Sequence, residues 1–318
     1  MAFQVSHTEQ NNTALIHLTD NNHSTCISVI PAVGAMLHEF IIPVDSKQFN
    51  IIENYSLDTS PKEQVTNYFR SVKLSPWVCR LAGGRYHFNN STYQSNKLYQ
   101  DGTALHGLLF DQPFEVTAES ADDTAASVTL SHDYNCYDPG YPFPYRCQVR
   151  YTLHPQNMLE VETTVTNLAE TEIPISDGWH PYFRLGGKVN EWELFFNAQG
   201  MLEFDKTLVP TGKNIPFDQF NKPSPIGTTT MDNCFLLNMQ QKQPACTLKN
   251  PANGLIVSLY PDPSYPYLQV FIPGHRESIA IENLSSAPDS FNNKMGLVIL
   301  PPGQSRSFRV FYRAGCCL

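Results

Sequence analysis

The segment Met158-Leu159-Glu160-Val161-Glu162-Thr163-Thr164-Val165-Thr166-Asn167 alternates with period two, Leu159, Val161 and Val165 on one side and Glu160 and Glu162 on the other. Such alternation marks a half-buried antiparallel strand, because successive side chains of a strand point to opposite faces. Shorter runs of the same character lie at 126–132, 146–153, 255–260, 268–272, 278–281 and 307–312. Between them stand breakers such as Asp138-Pro139-Gly140, Pro261-Asp262-Pro263 and Pro301-Pro302-Gly303. A long series of short strands with turn-rich joins specifies an all-β fold, a sandwich or a barrel. Helical signal is thin. Ser60 followed by Pro61 reads as an N-cap and a first helical residue, which predicts one short helix running to about Arg70. The polar stretches 219–224 and 240–243 read as loops. No repeat, low-complexity tract or linker interrupts the 318 residues, so the chain reads as a single domain, residues 1–318.

Composition narrows the partners. The chain carries 30 acidic and 21 basic residues, a formal charge of -9, and its Lys and Arg residues form no cluster. That balance argues against nucleic acid and against anionic membrane surfaces. No stretch approaches the roughly 20 apolar residues of a membrane span. The N-terminal Met1-Ala2-Phe3-Gln4-Val5-Ser6-His7 lacks the basic leader and apolar segment of a secretory signal. The eight cysteines show neither a CxxC pair nor a zinc-like spacing, and they read as reduced thiols of a cytoplasmic protein. The ten histidines contain no HExxH motif, and Gly83-Gly84 lacks the spacing of a dinucleotide or phosphate loop. Neither a metal nor another cofactor is therefore expected. Oligomeric state leaves no mark in the sequence.

The run Ser176-Asp177-Gly178-Trp179-His180-Pro181-Tyr182-Phe183 places a histidine between aromatics, where a strand pattern breaks at Gly178 and Pro181. Histidine can give or take a proton near neutral pH, and flanking rings suit the apolar face of a sugar better than a metal or a phosphate. The same octet is equally compatible with a buried, hydrogen-bonded His at a loop corner. Three further segments change the balance: Pro76-Trp77-Val78-Cys79-Arg80-Leu81-Ala82-Gly83-Gly84-Arg85-Tyr86, Ala104-Leu105-His106-Gly107, and Ile281-Glu282-Asn283-Leu284-Ser285-Ser286-Ala287-Pro288-Asp289-Ser290-Phe291-Asn292. In this order and at these separations they resemble the aldose 1-epimerase (galactose mutarotase) family, over a span from about Gly34 to Phe311. The resemblance implies a large antiparallel β-supersandwich with little helix and an open sugar cleft across one sheet.

Interconverting the anomers of an aldose needs a base for the hydroxyl proton on C1 and an acid for the ring oxygen, and no redox step. A carboxylate and a histidine meet that need. The resemblance places Glu282 on the family's catalytic base and His180 on its acid, and it places Arg80, His106 and Asp232 on substrate-binding positions. Leu105-His106-Gly107 departs from the family at Leu108, where many members continue with glycine. An Arg fork fixes orientation, and an ionised Asp accepts hydrogen bonds from adjacent hydroxyls. Read without the family, Glu282 is a strand-end carboxylate and Asp232, beside Asn233, an Asx-turn residue. Trp179, Tyr182 and Phe271 are candidates for stacking on the sugar, although aromatics of all-β proteins are more often core. The expected activity is aldose 1-epimerase on free hexoses. A hexose-6-phosphate mutarotase, a non-catalytic carbohydrate-binding protein of the same fold, and a glycosidase pairing Asp232 with Glu282 remain open.

Overall fold

The computed structural model describes residues 1–45, 47–240 and 244–316; the loop expected at 240–243 thus falls outside the described residues after Gln240. Three large sheets are built from antiparallel ladders. The first five strands, Phe3–Gln10, Thr13–Asp20, Thr25–Ile30, Met36–Val44 and Lys47–Asn50, form a meander in sequence order. A nine-stranded sheet has at its centre Tyr145–His154, Met158–Asn167, Ser305–Cys316 and Leu255–Pro261 as neighbours, so the C-terminal strand closes between hairpins laid down far earlier. The alternation of Met158–Asn167 is realised: Leu159, Val161 and Val165 are buried.

An eight-stranded sheet carries most of the residues that the sequence singles out. Its order is Pro210–Ile215, Ala198–Phe204, Asp232–Leu237, Tyr267–Phe271, Ile279–Leu284, Gly178–Trp179 and Lys73–Leu74, with Tyr182–Phe183 also paired to Ile279–Leu284. The nine- and eight-stranded sheets pack face to face. Tyr151 meets Trp179 at 5.8 Å between ring centroids and Tyr312 meets Phe183 at 5.7 Å. The Tyr312 hydroxyl also donates to Asn283 Oδ1 across the same seam (2.5 Å). The largest apolar cluster draws on all three sheets, for example Ile16, Val128 and Val270.

Lys73 and Asp177 lie in this interior at 0% side-chain exposure, joined at 2.6 Å. Two buried charges are costly unless their remaining hydrogen-bonding capacity is used. Tyr265 Oη donates to Asp177 Oδ1 (2.6 Å), and Lys73 Nζ donates to the Gly178 carbonyl (3.0 Å) and stands over the Trp179 ring (4.6 Å). This arrangement ties three neighbouring segments together at the strand that delivers His180.

The helix expected from Ser60 to about Arg70 is only Pro61–Gln64. From Val65 the chain turns, and Tyr68, Phe69 and Ser71 take left-handed backbone angles (φ 72, 54 and 53). The reason is tertiary. The Tyr55 hydroxyl lies 3.0 and 2.9 Å from the Val65 and Asn67 carbonyls and accepts the Arg70 N–H at 2.8 Å; Val65 O still accepts the Phe69 N–H (3.1 Å), but the Asn67 carbonyl and the Arg70 N–H are diverted from helical partners. Cys26, Cys79, Cys136, Cys147, Cys234 and Cys246 form no disulfide, and Cys317 lies outside the described residues. No helix among the described residues is long and apolar enough to cross a membrane.

Candidate active site

Strand periodicity and register assemble the site. In Ile279–Leu284, Ile279, Ile281 and Asn283 face the opposing sheet, which leaves Glu282 on the other face. Gln269 is paired directly with Glu282 and Cys234 with Gln269, so one row of side chains crosses three strands on the same face. Asp232, paired with Phe271, stands diagonally beside Gln269, whose Nε2 donates to Asp232 Oδ1 at 2.7 Å. Asp232 therefore opens a strand rather than an Asx turn.

His180 arrives from the adjoining edge. Its N–H donates to the Val72 carbonyl (3.2 Å), and its own carbonyl accepts the Ser71 N–H (2.9 Å). These bonds aim the imidazole at the carboxylate, with Nε2 3.3 Å from Glu282 Oε1. The other carboxylate oxygen, Oε2, accepts from the Cys79 thiol at 3.8 Å. Tyr182 stacks on His180 (5.1 Å, 22°), and His106 meets it edge to face at 4.9 Å. His106 has φ 60, and Gly107 beyond it has φ 76. A Cβ on Gly107 would stand 2.1 Å from the Ser75 carbonyl oxygen, so only glycine lets this turn pass so close.

Arg80 Nη1 donates to Asp101 Oδ2 (2.8 Å) and Thr103 Oγ1 (3.3 Å), which leaves the rest of its fork at the cavity wall. The 287–292 segment is a brace for this loop. Asp289 N–H donates to the Arg80 carbonyl (2.8 Å), Asp289 Oδ1 accepts from Ala82 N–H (2.9 Å), and Asn292 Nδ2 donates to both Arg85 O (2.9 Å) and Asp289 Oδ1 (2.8 Å). The hydroxyls of Ser176, Ser286 and Ser290 interlock at 2.7–2.9 Å, which joins the histidine segment to the same brace.

The result is a cavity of about 170 Å³. Polar groups of Arg80, His106, His180, Asp232, Gln269 and Glu282 line it, and Tyr68, Phe204, Leu208, Phe271 and Pro288 supply apolar wall. Of the residues expected from the sequence, His180, Glu282, Arg80, His106, Asp232 and Tyr182 converge here, as does Phe271. Trp179 does not. It is one residue out of phase with His180, points into the intersheet core against Tyr151, and is 3% exposed. Gln269, Cys79, Tyr68 and Phe69 are lining residues that the sequence did not reveal. Gln269 leaves one trace, a polar residue inside the apolar run Leu268–Ile272; Tyr68 and Phe69 leave none, because their segment reads as helix.

Burial sets the electrostatics. Glu282 is 2% exposed, and burial followed by the nearby charge of Asp232 holds its carboxyl well above the ordinary range, against a small opposing pull from the Cys79 thiol. Burial pushes His180, 5% exposed, down to about 3, and pushes His106 well below its ordinary value, helped by His180 and Arg80. Asp232 is raised by burial, with Arg80 and the Gln269 amide pulling it back. Both histidines are thus neutral near pH 7. His180 Nδ1, His106 Nδ1 and Gln269 Oε1 are buried without a protein partner, on residues that line the cavity. His106, His180 and Glu282 also hold their ligand atoms within 4.8 Å of one another and could grip a metal ion. The polar lining beyond that trio, Arg80, Asp232 and Gln269, fits a ligand with several hydroxyls better.

A family model described as aldose 1-epimerase matches residues 15–313 of the chain. The uncharacterized protein YihR of Escherichia coli (strain K12) is 26% identical over 257 residues, covering 79% of this chain and 80% of that protein. An aldose 1-epimerase of Streptococcus thermophilus is 24% identical over 331 residues, covering 92% of each. Among solved structures, a galactose mutarotase-like protein from Clostridium acetobutylicum superposes with a TM-score of 0.88 at 18% identity, covering 99% of both chains. At that identity it shows a common fold.

Proposed function

The chain belongs to the aldose 1-epimerase family of isomerases, and we propose that it interconverts the α and β anomers of free hexoses, with His180 and Glu282 as the proton-transferring pair. The observation that carries this is the 3.3 Å contact between His180 Nε2 and Glu282 Oε1 in a cavity lined with the polar side chains of Arg80, His106, Asp232 and Gln269. Burial favours a protonated Glu282 beside a neutral His180, the reverse of the starting state that the family resemblance implied. The two states differ only in where one proton sits. Its transfer along the contact turns the neutral pair into an ionised base and a protonated acid without changing the charge of the cavity. Glu282 then takes the C1 hydroxyl proton while His180 protonates the ring oxygen. The ring opens, C1 rotates, and closure on the other face reverses both transfers, so no net proton is consumed.

Arg80, His106, Asp232 and Gln269 orient the ring hydroxyls in this reading. The free Oε1 of Gln269 and the carboxylate of Asp232 accept hydrogen bonds, and the Arg80 fork donates them. Charge favours an unphosphorylated sugar. A phosphate brings close to two negative charges and calls for clustered cations. Among the described residues lining the cavity, Arg80 is the one permanent cation, and it is already paired with Asp101 at 2.8 Å. Arg70 is paired with Glu53 (3.0 Å), and Arg276 is spent on Asn190, Thr229 and Gly227. Polarimetry on freshly dissolved α-D-galactose, α-D-glucose and α-D-glucose 6-phosphate tests the proposal. Faster mutarotation than buffer, with higher kcat/KM for the free sugars, is expected. No acceleration would leave a binding protein, and a clear preference for the phosphate would make it a sugar-phosphate mutarotase.

A further inference from the structure

We propose that Tyr68 is a sugar-stacking residue, an outer wall against which the apolar face of a bound pyranose packs; the inference rests on the reading of the cavity as a sugar site. Tyr68 lines the cavity that holds His180 and Glu282, yet it is 45% exposed, among the most exposed large aromatic side chains of the molecule. A surface ring with no role is ordinarily free to move. This one is held on three sides: it meets Tyr182 at 6.5 Å and His275 at 5.9 Å with ring planes at 77° and 83°, and the Arg70 guanidinium stands over its ring, 5.3 Å from the centroid. Arg70 covers one face, and the ring as a whole stays 45% exposed where it borders the cavity, which leaves the opposite face for a ligand. Pyranoses present patches of C–H groups between their hydroxyls, and a fixed aromatic face removes those patches from water at little entropic cost.

The backbone supports the same reading. Tyr68, Phe69 and Ser71 all occupy the left-handed region that bulky residues avoid, a conformation that persists only when its surroundings over-determine it. Here they do. The Tyr55 hydroxyl gathers the Val65 and Asn67 carbonyls and the Arg70 N–H, Arg70 Nη2 pairs with Glu53 at 3.0 Å, and the Ser71 N–H is held by the His180 carbonyl. A helix continued through this segment would satisfy the same groups without the strain. What the turn achieves instead is to set two successive rings toward the cavity, Phe69 against His106 (4.6 Å) and Tyr68 at the mouth.

The test is calorimetric titration of D-galactose and D-glucose into the full chain, with polarimetric kcat and KM measured in parallel, for the wild type and Tyr68→Ala, Tyr68→Leu and Tyr68→Phe. Tyr68→Ala is expected to weaken binding about tenfold and to raise KM by a similar factor, with a smaller change in kcat. Tyr68→Leu, which keeps bulk without a flat face, is expected to lose at least about threefold and serves if the Ala variant folds poorly. Tyr68→Phe is expected to stay within about twofold of wild type, because the ring and not the hydroxyl makes the contact. Unchanged binding in Tyr68→Ala and Tyr68→Leu overturns the inference, as does a Tyr68→Phe variant as weak as Tyr68→Ala. If the wild type binds sugar without accelerating mutarotation, the catalytic reading fails while the titrations still decide Tyr68; if the wild type binds neither sugar, both fall.

Discussion

Glu282 and His180 share one buried corner, and burial shifts both toward their uncharged forms, so the proposed chemistry belongs to the pair more than to either side chain alone. Glu282→Gln keeps the shape and removes the proton acceptor, so kcat is expected to fall by at least about a hundredfold, with His180→Asn comparably damaging. Retention of most of the turnover by either variant would remove that residue from the mechanism. The pH dependence has a definite sign. His180 takes a second proton onto the pair only near about 3, far below the ordinary 6.5 of histidine, and Glu282 gives up its proton only above the ordinary carboxylate range. Because kcat/KM reports the free enzyme, its acid limb should lie well below pH 6 and its fall should come on the alkaline side, as a property of the pair. An acid limb centred near 6.5 would mean that His180 titrates as an exposed histidine. These two residues were legible in the sequence because each sits inside a motif. Gln269 was not, and Cys79 was not although it lies inside a motif, since their roles come from contacts with Asp232 and Glu282 made between segments distant in the chain.

At the level of elements, the functional loops are braced by residues that do not line the cavity. Asp289 and Asn292 spend their side chains on the backbone of the Arg80 loop, so the motif downstream of Glu282 acts by positioning. Asp289→Ala deletes the bond to Ala82 N–H and the support of Asn292. The expected result is a severalfold rise in KM with a smaller change in kcat, because the Arg80 fork loses its fixed orientation while the His180–Glu282 contact stays intact. Steady-state kinetics on galactose checks this; a loss confined to kcat would place Asp289 in the chemistry itself. The helix reading of residues 60–70 illustrates the opposite case. Pro61 does start a helical turn, but propensity is a weak prior, and the Tyr55 hydroxyl takes the Asn67 carbonyl and the Arg70 N–H away from helical partners.

For the whole molecule, the seam between the nine- and eight-stranded sheets supports both fold and site. Trp179 lies in it, against Tyr151 and under the Lys73 ammonium, one residue from His180. Trp179→Ala is expected to cost about 3–5 kcal/mol of stability, the range for deleting a large buried aromatic, read as a lower urea midpoint. A Trp179→Ala variant with unchanged midpoint and a raised KM would instead return Trp179 to the sugar site.

Local pattern was enough to establish an all-β chain, because alternation is written within each short run and turn residues mark where runs end. The four motifs and their resemblance to one family were enough to gather His180, Glu282, Arg80, His106, Tyr182 and Trp179 as candidates, with Asp232 added from the 230–235 segment. Which face each candidate takes was decided only in the folded molecule. A one-residue change of phase sends Trp179 into the core and His180 into the cavity, and register alone sets Gln269 beside Glu282. The Cys79 thiol and the carboxylate it touches are 203 residues apart in the chain. Contacts of that separation are made by strand pairing and sheet packing, and no pattern within either segment encodes them.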